Sequence, residues 1–142
     1  MSYPVILDTG PLVAFLKAND QFHDWAVAEL DRIPYPVITC ESVITEACFL
    51  LRNTPSGEAT VLSLIADGLI KIPFQIELEA IALQSLLNQY NSVPMSLADA
   101  CLVRLVEHYP NSSILTLDSD FYIYRRNKSQ VIPVIAPDKY SR

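Results

Sequence analysis

The chain has 142 residues, 51% of them apolar, and a net charge of −6, which fits one domain with a core of its own and excludes a disordered chain. No apolar run approaches the roughly 20 residues of a membrane span, and the opening Met1-Ser-Tyr-Pro-Val-Ile-Leu-Asp8 lacks the basic start of a secretory signal, so a cytoplasmic protein is expected. The acidic balance argues against broad, non-specific nucleic-acid binding, although a divalent cation neutralises the carboxylates that hold it.

In chain order, Pro4–Leu7 is a short apolar run of the buried-strand type. Helices are expected at 11–18 and 21–32, the second with Phe22, Trp25, Ala26 and Leu30 on one face. Pro36–Cys40 reads as a second strand. Ser42 to Arg52 reads as a helix, with Val43, Ala47, Leu50 and Leu51 at helical spacing. Another helix is expected at 57–67, closed near Gly68, followed by a third strand at Leu69–Pro73. Residues 77–90 form a helix with Ile81, Leu83, Leu86 and Leu87 apolar. The next helix starts at Ser96 and runs to about Tyr109, where Pro110 stops it. Ile114–Leu117 is a fourth strand. Val131–Val134 is a fifth, with Pro133 placing it at an edge. Strands separated by helices give an α/β fold of three layers: a central parallel sheet of four to five strands with helices on both faces. Right-handed crossovers then fix most of the topology.

Sites in such a sheet form beyond the carboxyl ends of the strands. Asp8 ends the first strand, and Asp118 ends the fourth, with Asp120 two residues on. Glu46 lies about one turn into a helix that begins at the carboxyl edge. Asp99 lies in the first turn of a helix that must start there too, because the fourth strand follows its end within a few residues. Four acids from distant segments therefore converge on one rim. Ionised carboxylates so placed repel one another, and a hard divalent cation with oxygen ligands relieves that repulsion. Such an ion also activates water against a phosphodiester.

Each acid has a structural role open to it as well. Asp8 and the Asp118-Ser-Asp120 stretch can cap helices or turns. Ser96-Leu-Ala-Asp99 fits a capping box, and Glu46 alone is an ordinary helix residue. Cys40, Cys48 and Cys101 are odd in number, without CxxC spacing, and read as free thiols of a reducing compartment. His23 reads as a packing or surface residue and His108 as a helix-end cation; two histidines do not support a Cys/His zinc site. Three glycines leave no phosphate-cradling Gly-rich loop. Arg125-Arg126-Asn-Lys128 is a local basic patch, a weak candidate for phosphate contact. The triplet Asp8-Thr9-Gly10 copies that of aspartic proteases, but those enzymes are β-rich and need two triplets, whereas here Pro11 and a helical pattern follow. A phosphatase with Asp8 as nucleophile usually wants a second acid two residues later, where Gly10 stands.

The same segments resemble a known family. Val5-Ile-Leu-Asp8-Thr9-Gly-Pro-Leu-Val-Ala-Phe-Leu16 resembles the opening of PIN domains. Ser42-Val-Ile-Thr-Glu46-Ala-Cys-Phe-Leu-Leu51 is similar to the segment of the second acid, and Leu97-Ala-Asp99-Ala100 to that of the third. Ile114-Leu-Thr116-Leu-Asp118-Ser-Asp120-Phe121 resembles the closing T-x-D-x-D-F pattern. The resemblance spans nearly the whole chain, in order. It implies a Rossmann-like PIN domain over 1–142, dependence on Mg²⁺ or Mn²⁺, and cleavage of single-stranded or structured RNA. By residue it implies that Asp8, Glu46, Asp99 and Asp118 are catalytic and metal-binding, with Asp120 as a further ligand and Thr9 and Thr116 as supporting groups. The length is similar to that of the toxins of VapBC-type toxin–antitoxin pairs, which implies a homodimer and a small antitoxin partner covering the acidic site. The alternatives are a non-catalytic PIN-fold binding module and a housekeeping PIN nuclease without an antitoxin.

Overall fold

The computed structural model describes residues 3–138. The chain runs β1 (Val5–Leu7), α1 (Thr9–Leu16), α2 (His23–Arg32), β2 (Val37–Ile38), α3 (Glu41–Leu50), α4 (Gly57–Ala66), β3 (Ile70–Lys71) and α5 (Ile76–Gln89). It continues with α6 (Leu97–His108), β4 (Ser113–Leu115), a 3₁₀ turn at Ser119–Tyr122, β5 (Arg125–Arg126), β6 (Gln130–Val131) and β7 (Val134–Ile135). Five strands form a parallel sheet in the order β3-β2-β1-β4-β7, and six helices flank it, as in the PIN-like α/β fold.

Side chains alternate across the sheet, as strand geometry requires. Ile6, Ile38 and Ile114 point to one face, where they pack with Leu102, Leu105 and Val106 of α6 and Leu83 and Leu86 of α5. Val5, Leu7, Val37, Ile70 and Leu115 point to the other, against Leu12 and Val13 of α1, Leu30 of α2, Ile44 and Ala47 of α3 and Val61 of α4. Strands buried on both faces read as unbroken apolar runs, which is why they were visible as such. The buried α6 carries Ala100 to Val103, Leu105 and Val106 in the core. Among the described residues no helix is long and apolar enough to cross a membrane.

Two expectations need correction. The helix expected at 11–18 begins at Thr9, because Asp8 caps it and Pro11 sits in its first turn, where a missing N–H costs nothing. The fifth strand is not one run at Val131–Val134. Val134–Ile135 forms the sheet edge, where Pro133 O accepts from Ile114 N at 2.9 Å and Ile135 O from Thr116 N at 3.1 Å. Gln130–Val131 turns away instead and pairs antiparallel with Arg125–Arg126. Pro133 lies between the two, without a hydrogen to continue a ladder. The hairpin turns on Asn127 and Lys128, both with left-handed backbone (φ 49° and 71°).

The remaining assignments differ at their ends by a residue or two. Gly68, at φ 81°, closes the turn after α4, a conformation that favours glycine. The three cysteines are free. His23 Nδ1 lies 2.8 Å from Ala14 O and ties α2 to α1, which is the packing role. His108 reaches beyond its own helix end to Glu79 of α5 at 2.9 Å, beside the Arg104–Glu79 ion pair at 2.7 Å.

Candidate active site

The chain passes from β1 to β2 on one side of β1 and later returns to β4 on the other. The carboxyl ends of β1 and β4 thus form the switch point of the sheet, where crevices open in folds of this kind. Leu7 pairs with Leu115 at that end, and Asp8 N donates to Leu115 O at 3.0 Å. Asp8 and Thr116 are the next residues out on adjacent strands, and Asp118 follows.

The acids are fixed locally by the caps they form. Asp8 is the N-cap of α1, and its Oδ1 accepts from Thr9 N at 2.7 Å. Its Oδ2 accepts from the Thr116 hydroxyl at 2.6 Å, which in turn accepts from Asp118 N at 2.9 Å. Asp118 caps the 3₁₀ turn through Asp120 N at 2.9 Å. Asp99 completes a capping box with Ser96 at the start of α6. The Thr9 hydroxyl donates to Glu46 Oε1 at 2.7 Å, across 37 residues of chain. Structural and site placement thus coincide: a cap holds a carboxylate at a helix start, and the helix starts stand at the rim.

Asp8, Glu46, Asp99 and Asp118 line one pocket of about 460 Å³, together with Thr9, Gly10, Val13, Leu50, Pro94, Ser96 and Leu117. Gly10 lets α1 lie close to the segment after β4: a Cβ there would stand 3.2 Å from the Leu117 side chain. Asp120 stands beside Asp118 but outside the lining. The basic stretch is not brought to the pocket lining. The Arg125 guanidinium folds onto the carbonyls of Tyr122, Ile123 and Tyr124. The Arg126 guanidinium donates to Pro110 O, beyond the far end of α6, and Lys128 is exposed on the hairpin turn.

No Lys, Arg or His lines the pocket among the described residues. Burial pushes the Asp8 carboxyl up to about 7; hydrogen bonds from Thr116 and Thr9 oppose that rise, and the charges of Asp99 and Asp118 add to it. Burial raises Asp99 as well, with Asp118 contributing, and burial and Asp118 raise Asp120. Among the described residues no three carboxylate, imidazole or thiol side chains are grouped tightly enough to hold an ion as they stand. The donor chemistry nevertheless fits a hard cation: every polar side chain lining the pocket offers oxygen, and the acid charge has no protein counter-ion there.

One residue of this region is absent from the sequence-based expectations. The Tyr124 hydroxyl, fully buried, donates to Asp99 Oδ2 at 3.0 Å. Nothing in the spacing of residues 99 and 124 signals the contact.

The geometry defines an acid pocket at the switch point of a PIN-like fold. A solved structure with the same architecture is the Mycobacterium tuberculosis toxin VapC20, described as sarcin-ricin loop cleaving. It is 21% identical, covers 91% of this chain and 99% of its own, and superposes with a TM-score of 0.71. No family model matches the sequence, and no curated protein matches it.

Proposed function

We propose that the protein is a metal-dependent endoribonuclease, the toxin of a toxin–antitoxin pair, acting in the cytoplasm. The observation that carries this reading is the pocket lined by four carboxylates from four segments, with no Lys, Arg or His among the described residues that line it. The shared fold with a toxin that cleaves the sarcin-ricin loop supports RNA as the substrate class.

Asp8, Glu46, Asp99 and Asp118 would hold Mg²⁺ or Mn²⁺, with Asp120 at the margin. When bound, the ion supplies charge neutralisation and activation of water for in-line displacement at phosphorus. The protein's own contribution is orientation. Thr9 N and the Thr116 hydroxyl lock both oxygens of Asp8. The Thr9 hydroxyl holds Glu46, which is otherwise exposed on α3. Val13, Leu50 and Leu117 give the pocket apolar walls that limit water around the acids. Lys128 on the hairpin and the partly exposed Arg125 and Arg126 serve RNA only at a distance from the acids.

The test is labelled RNA carrying a stem-loop, incubated with purified protein and Mn²⁺ or with chelator. Cleavage is expected with the metal and none with chelator. Folded protein that neither cleaves RNA nor binds Mn²⁺ would leave the non-catalytic module as the better reading.

The exposed apolar face of α5 supports the homodimer. Leu78 is 76% and Ile81 85% exposed, with Ile76 and Leu97 also open to solvent. Ile76, Ile81 and Leu97 line one groove, and exposed apolar surface of this kind marks interaction sites. Ile81→Glu is expected to convert a dimer to a monomer on size exclusion with the melting temperature little changed; a wild-type monomer would refute the dimer. An antitoxin would cover the acid pocket, whose lining includes the exposed Leu50.

A further inference from the structure

We propose that Tyr124 is a positioning residue for the Asp99 carboxylate, fixing which of its oxygens stays free for the pocket. The inference rests on the metal-dependent reading of that pocket. Asp99 Oδ2 accepts from both the Tyr124 hydroxyl at 3.0 Å and Ser96 N at 3.3 Å. Oδ1 has no hydrogen-bond donor among the described residues, and Asp99 lines the pocket. One oxygen is thus occupied by protein and the other is left available.

Helix capping does not require this arrangement. The Ser96 side chain already accepts from Asp99 N at 3.0 Å, and Ser96 N already reaches the Asp99 carboxylate. The capping box is complete without Tyr124. Packing does not require the hydroxyl either. The Tyr124 ring stands edge-on to Tyr90 and to Phe121, each with a centroid separation of 5.2 Å, and a phenylalanine would fill the same cage. A buried hydroxyl is costly unless it is bonded, so its placement on Asp99 is specific.

The cage also aims the hydroxyl. Tyr90, at the end of α5, accepts from Arg125 N at 2.9 Å, on the residue after Tyr124. Tyr124 N donates to Asp120 O at 3.1 Å. Tyr124 therefore joins the turn that carries Asp118 and Asp120 to the helix that carries Asp99.

Tyr124→Phe removes only the hydroxyl. In metal-free crystals the Asp99 carboxylate plane is expected in one orientation in wild type, with Oδ2 on Tyr124 and Ser96 N, and turned or split between orientations in the variant. Mn²⁺ affinity by calorimetry is expected to fall about three- to tenfold, the scale of one ordinary hydrogen bond, because the lost bond only orients the ligand. In an Asp99→Asn background the same substitution is expected to bring no comparable loss. An unchanged carboxylate orientation, or an equal loss of affinity in both backgrounds, would overturn the inference and leave Tyr124 a packing residue. If wild type binds no Mn²⁺, the metal reading of the pocket fails separately, and the carboxylate orientation still decides the role of Tyr124.

Discussion

Asp8→Asn and Asp99→Asn are each expected to lower Mn²⁺-dependent RNA cleavage on the order of 100-fold or more, the scale seen when charge stabilisation of a transition state is removed. Both carboxylates are largely buried, at 7% and 8% exposure, and both line the pocket. Neither substitution should unfold the protein. Asn keeps the acceptor that Thr9 N uses at position 8 and the one that Tyr124 uses at position 99. It also removes a desolvated charge, so the metal-free melting temperature is expected to hold or rise even as activity disappears. That opposition of stability and activity is the signature of a site whose charge is kept for chemistry. Full cleavage by both variants would remove these residues from the site. A parallel collapse of melting temperature would make them structural caps and no more.

The firmest parts of this site were readable because local rules place them. Asp8 and Asp118 follow apolar strands, and the end of a parallel strand is a defined location in the fold. Asp99 was readable through Ser96, because a capping box marks a helix start. Glu46 has no such local mark; its helix brings it toward the rim, but it depends most on the resemblance to PIN domains, and what holds it is Thr9, 37 residues away. The hairpin of β5 and β6 escaped notice because strands of two residues show no alternation to detect. The basic stretch illustrates a different limit. Its composition shows positive charge, but which way Arg125 turns depends on the carbonyls of the preceding turn, three of which it caps. Tyr124 was hidden for the same reason: its hydroxyl acts on a residue that only the folded chain brings near.

The same desolvated charge predicts a pH dependence. The metal-free protein is expected to lose stability as pH rises from about 4 to about 7, by up to a few kcal/mol. Asp8 carries the effect: its carboxyl is pushed from 3.8 to about 7, chiefly by burial. In the unfolded chain that group releases its proton near its ordinary value. Across the interval the folded state therefore binds more protons than the unfolded one, and stability falls with rising pH. The contribution is fully present below the unfolded value and gone once pH has passed the folded one. Mg²⁺ or Mn²⁺ is expected to reverse the loss, because an ion binds the ionised, folded site and not the unfolded chain. The rise in melting temperature on adding metal should thus be larger near pH 8 than near pH 5, where protons compete for the same oxygens. Asp8→Asn should flatten the metal-free pH profile, since the titrating group is gone. A metal-induced rise of equal size at both pH values would show that the ion binds somewhere other than these carboxylates.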